Sequence, residues 1–181
     1  MSPKKVVYVG PGFSGRRTSV VSVVRATGLR INPGVMNPDD VYLVEVGAGE
    51  RLHLRISFAR SVRHYNDAAS LPADHPVQQE LDWICEADGL VFIIDAQRER
   101  EGANLEQFEH LTRDLRHRGL DLNDKPVVFQ VNKRDLDSTS PLDEFRSVFG
   151  TRRCAFVESV ASAGVGTREA ILTLAALMHA G

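Results

Sequence analysis

The chain has 181 residues, 43% of them apolar and 25% charged, and carries a formal charge of −2. That length suits one domain over 1–181 with a substantial core, and the near-neutral charge gives no global pull toward nucleic acid or an anionic membrane. Cys85 and Cys154 have no metal-type spacing and fit a reducing, cytoplasmic setting, while the first apolar run is too short for a signal-peptide core or stable membrane insertion.

Taken in chain order, KVVYV (5–9) predicts a first strand running into the glycine-rich stretch GPGFSGRRTSV (10–20). SVVSVVRAT (19–27) carries valines that favour a strand, but its place after a glycine loop predicts a helix. VYLVEV (41–46) and RLHLRIS (51–57) are strands separated only by GAGE, so they pair as an antiparallel hairpin. SLPADHP (70–76) reads as a turn-rich loop ending in a proline at a helix start, and QQELDWIC then turns Leu81, Ile84 and Cys85 inward. After the strand GLVFIID (89–95), Leu105, Phe108, Leu111 and Leu115 form a helical stripe, with Glu109 and Arg113 placed for an i,i+4 pair and Gly119 as a stop. PVVFQV (126–131) and a weaker CAFVES (154–159) follow as strands. A last helix from Thr167 through Ala180 puts Ile171, Leu174 and Leu177 on one face. Strands alternating with helices predict an α/β fold: about six strands, mostly parallel, one antiparallel edge hairpin, and helices on both faces.

Two motifs carry the chemistry. Gly10, four residues and Gly15 match the opening of a phosphate-binding P-loop, G-x-x-x-x-G-K-[ST], in which backbone N–H groups and a helix start cradle phosphate. Gly12 adds a further permissive position, but Arg16 stands where the lysine belongs and Arg17 where the hydroxyl residue holds Mg²⁺. Thr18 comes one residue late. The second motif is VNKRDL (131–136), an Asn-Lys-x-Asp at the carboxyl end of a strand, where open α/β sheets bind ligands. Asp135 offers a carboxylate that matches guanine N1–H and the 2-amino group, and adenine has no such donor pair. Asn132 is suited to tying neighbouring loops together, and the Lys133 stem to covering a base face while its head stays wet.

The spacing of these motifs resembles the Ras-like small GTPases, and VASAGVG (160–166) is similar to their last base-reading loop, in which Ala161 would offer its backbone N–H to the guanine 6-oxo group. Within that superfamily VYVGPGFSG, DGLVFIIDAQRER and GLDLNDKPVVFQVNKRDL look like the MglA family of bacterial cell-polarity and gliding-motility GTPases. The resemblance is strong from Asp88 to Leu136 and weak from Leu29 to His75. It implies a Ras-like P-loop fold, GTP or GDP as ligand, and a roadblock-type (MglB-like) or other polarity protein as partner. Nothing in the sequence fixes an oligomeric state.

The departures from that family fall at the phosphate end. Mg²⁺ demands oxygen ligands and a guanidinium has none, so Mg²⁺ binding is not expected. GLRINPGVMNPDDVY (28–42) contains no threonine or serine for the first switch. In the second switch Phe58 and Ser61 replace the Asp/Thr and Gly positions, and Val62 replaces the water-orienting glutamine. The base-reading residues are kept while those that sense Mg²⁺ or position water are changed, so hydrolysis is expected to be absent or very weak, with no catalytic residue and no metal ligand assigned. The arginine pair has two readings. Turned inward, a guanidinium pairs with phosphate oxygens and replaces the metal's charge, making binding Mg²⁺-independent; too wide for the site, it blocks or weakens it, the reading its bulk favours. The expectation is a pseudo-GTPase acting as a protein-binding module. A slowly hydrolysing switch and a nucleotide-free structural subunit are the alternatives. Arg113, Arg116, His117 and Arg118 on the third helix read first as a solvated helix end, where cations suit the dipole, with a partner-binding patch as the alternative, and RSVRHYND (60–67) is a candidate docking segment.

Overall fold

Period-two alternation sorts the side chains of the central strands into two cores. In β1 (Lys4–Val9) Val6 and Tyr8 enter one layer, Val7 and Val9 the other. In β4 (Gly89–Asp95) Val91 and Ile93 join the first layer, and Leu90, Phe92 and Ile94 the second. Strands buried on both faces need helices on both, as expected of a parallel sheet. The computed structural model describes residues 2–28, 41–46, 49–57 and 71–180. Phe58, Ser61, Val62, the docking candidates Arg60, Arg63, His64 and Tyr65, and the first-switch stretch 29–40 lie outside the described residues.

The remaining elements are α1 (Arg16–Ala26), β2 (Tyr42–Val46), β3 (Glu50–Ile56), α2 (Pro76–Glu86), α3 (Glu101–His117), β5 (Val127–Asn132), α4 (Leu142–Phe149), β6 (Cys154–Glu158) and α5 (Thr167–His179). The sheet order is β2-β3-β1-β4-β5-β6. Every pairing is parallel except β2 with β3, the antiparallel edge hairpin the short GAGE connection dictates. Helices α1 and α5 bury Val20, Val24, Ile171 and Leu174 on one face. On the other, α2, α3 and α4 bury Ile84, Leu111, Leu115, Phe145 and Phe149.

Three local outcomes differ from pattern alone. Helix α1 forms despite its valines, because Val20, Val21, Val23 and Val24 are all buried and tertiary packing overrides propensity. In α3, Leu105 is 40% exposed, and the buried face begins instead with Asn104. Arg113 Nε stands 3.8 Å from the buried Asp114 carboxylate. The short helix α4 escapes the periodicity reading, since eight residues give barely two turns. Its Phe145 and Phe149 complete an aromatic group in which Phe149 lies 5.1 Å from Phe108 and 6.1 Å from Phe129. Helix α2 starts at the expected proline, capped by His75 Nδ1, which accepts from the Val77 N–H at 3.2 Å. Among the described residues no helix is long and apolar enough to cross a membrane.

Candidate functional site

The carboxyl ends of β1, β4 and β5 converge on the glycine loop. Gly10 has φ +140°, and a Cβ there would lie 2.4 Å from the Ile93 carbonyl oxygen of β4. Gly15 has φ +102°, and its Cβ would meet Asn132 Nδ2 at 2.3 Å. No L side chain fits either place, so these two glycines let the loop press against β4 and β5. Gly12 faces open space. At the loop tip Phe13 adopts φ +65°, uncommon for a residue with a Cβ, and is 87% exposed.

Asn132, the last residue of β5, binds the site together. Its Nδ2 donates to the Ser14 carbonyl at 2.9 Å, and its Oδ1 accepts from the Ala161 N–H at 2.9 Å and from Ser159 Oγ at 3.1 Å. Glycine loop, β5 and the 160–166 loop are thus one hydrogen-bonded unit. Beneath it, buried Gln130 donates through Nε2 to Ser19 Oγ (2.9 Å) and Ser159 Oγ (3.0 Å), tying α1 to β5. The Ala161 N–H, expected to face a base, is engaged by Asn132. Asp135 is exposed.

Lys133 has φ +67° and its head does not stay wet. Nζ lies 2.7 Å from Asp95 Oδ2 and 3.2 Å from Gln97 Oε1. The Asp95 side chain is 0% exposed, and Arg100 Nε stands 3.6 Å from the same oxygen. Arg100 Nη2 then donates to the Gly12 carbonyl at 2.7 Å. Asn104 fixes the Asp95 backbone from both sides, accepting its N–H at 3.0 Å and donating to its carbonyl at 2.8 Å. Asp95, Arg100 and Lys133 form a clamp between the base end and the loop tip. Sequence reasoning passed over this clamp; the readable signal was a charged residue closing an otherwise apolar strand, GLVFIID. In the same way a lone glutamine in PVVFQV marked Gln130.

The arginine pair divides. Arg17 and Thr18 are exposed, and Arg16 is half-buried. Arg16 Nη1 donates to the Ser57 carbonyl just beyond β3, and Ser57 Oγ donates to Glu80 Oε1 of α2. Burial lowers the Arg16 guanidinium to about 10 and the Glu80 carboxylate opposes that shift, so Arg16 is charged at neutral pH. Mg²⁺ does not fit this loop: at the ligand position the chain presents a guanidinium, which repels a cation and offers no lone pair. At the other end an exposed carboxylate, Asp135, stands on a loop framed by Asn132, the donor-accepting chemistry a guanine edge calls for. At the end of α3, Arg118 pairs with Asp82 at 2.7 Å and with Gln78 Oε1 at 2.5 Å, so part of that basic set braces α2.

A six-stranded sheet with one antiparallel edge, a glycine loop after β1 and an Asn-Lys-x-Asp closing β5 define a Ras-like P-loop fold. No family model matches the sequence. The chain is similar to the mutual gliding-motility protein MglA of Myxococcus xanthus (strain DK1622), with 28% identity over 179 residues, spanning 96% of this chain and 89% of that protein. This likeness supports a relationship to the small GTPases along nearly the whole chain.

Proposed function

We propose that this chain is a cytoplasmic pseudo-GTPase: a protein-binding module of bacterial polarity or motility signalling that keeps a guanine seat and has lost the switch. The observation that carries this reading is the contrast between the two ends of the site. At the base end Asn132 holds three segments in place around the exposed Asp135 carboxylate. At the phosphate end Arg16 is spent on the Ser57 carbonyl and Arg17 occupies the place of the Mg²⁺ ligand. Without a metal ligand, the transferred phosphoryl group lacks the charge that stabilises it in small GTPases. The family resemblance suggests a roadblock-type partner or another polarity protein. Single-turnover hydrolysis of GTP tests the catalytic half of the proposal, with Asp135→Ala as a control for contaminating enzyme. No release of phosphate above that control is expected; turnover at a rate ordinary for small GTPases contradicts it.

A second reading has one observation in its favour. Ala161 N–H and Arg16 Nη1 are both satisfied within the protein, as suits a nucleotide-free structural subunit that pairs with a true GTPase. The purified protein then carries no guanine nucleotide and binds none on titration, whereas the pseudo-GTPase binds GDP in preference to ADP.

A further inference from the structure

We propose that Glu80, on helix α2 and outside both motifs, is a positioning residue that holds Arg16 off the phosphate seat and so sets the anion affinity of the glycine loop. The inference rests on the reading of residues 10–18 as a phosphate-type loop. Its geometry is a relay through three elements. Arg16, the first residue of α1, sends Nη1 to the carbonyl of Ser57, and the hydroxyl of the same Ser57 donates to Glu80 Oε1. Glu80 is only 9% exposed, a carboxylate facing the core side of α2 among Val77, Leu81 and Ile84.

Two forces hold Arg16 in this place. Its hydrogen bond to Ser57 satisfies a carbonyl at the buried end of β3, where an unmatched acceptor is costly. The Glu80 carboxylate supplies the opposite charge, and the guanidinium answers it electrostatically. An arriving phosphate must therefore draw Arg16 away from both, or bind without the one cation the loop retains at that position. The competing carboxylate is built into the protein. It makes α2 the element that decides the loop's affinity.

The test uses inorganic pyrophosphate, which carries the phosphate chemistry without a base, titrated calorimetrically in chelator against the full chain. Glu80→Gln keeps the shape and the acceptor for Ser57 Oγ and removes only the charge. Releasing Arg16 is expected to tighten pyrophosphate binding about five- to tenfold, and Arg16→Gln in the same background is expected to abolish the gain. Unchanged affinity in Glu80→Gln overturns the proposal. So does a loss of pyrophosphate binding in Arg16→Gln alone comparable to that gain, since Arg16 would then already be a phosphate ligand. Thermal melting gives a second arm that does not need binding: Arg16→Gln lowers the melting temperature, and adding Glu80→Gln recovers most of the loss, whereas strictly additive losses contradict the pairing. GDP against ADP, measured alongside, reports the base seat separately. A failure of guanine preference with the pyrophosphate gain intact refutes the pseudo-GTPase reading and leaves the Glu80 inference standing.

Discussion

Gly10 and Gly12 face opposite constraints within one loop. A methyl group at Gly10 runs into the Ile93 carbonyl at 2.4 Å with φ already at +140°, while one at Gly12 meets nothing within 4 Å. Gly10→Ala is expected to cost about 2 kcal/mol or more, and Gly12→Ala less than about 1 kcal/mol. Urea midpoints decide it, and equal shifts contradict the packing described. Asn132 supplies a second test at this scale. Replacing it by alanine leaves the Ser14 carbonyl and the Ala161 N–H without their partner in a buried place, a loss of about 2–4 kcal/mol. An Asn132→Ala protein as stable as the parent would show that the loops are held by other means.

Among the elements, the end of β4 carries more of the site than its sequence suggests. Asp95 anchors Lys133 and Arg100, and Arg100 reaches the Gly12 carbonyl. Arg100→Ala is expected to raise amide exchange across residues 10–15 about tenfold while β5 amides keep their protection. Exchange unchanged in the loop would remove Arg100 from the clamp. The element order was legible because alternating apolar strands and a hairpin-length GAGE leave few arrangements open. Helix phase was less so. Leu105 continues an apolar stripe on paper, yet Asn104 takes the inward place because the Asp95 backbone at the end of β4 needs a donor and an acceptor there. Helix α4 was missed since its contribution, Phe145 and Phe149 among the aromatic side chains of β4 and β5, is a tertiary fact with little local signature.

For the molecule as a whole, the Asn-Lys-x-Asp stretch was legible as a motif at the end of β5, because Asn132, Lys133 and Asp135 lie within four consecutive residues, but the turn of Lys133 to Asp95 and of the Ala161 N–H to Asn132 was not. The phosphate end could be read only as a departure. Nothing in GRRT shows that Arg16 turns to Ser57 or that Glu80 stands behind it, because those partners come from β3 and α2. If Asp135 reads the base, Asp135→Asn exchanges an acceptor for a donor and shifts preference from guanine toward xanthine nucleotides by about tenfold or more, checked by competition between GDP and XDP. The same affinity for both in parent and variant would show that Asp135 reads no base. On the proposed reading this fold keeps a base seat and lacks metal-dependent phosphate recognition. Calorimetry of the parent with GDP, with Mg²⁺ and again in chelator, tests it most directly. Weak binding that is the same in both conditions is the predicted result, and tight binding that collapses when Mg²⁺ is removed is the result that would contradict it.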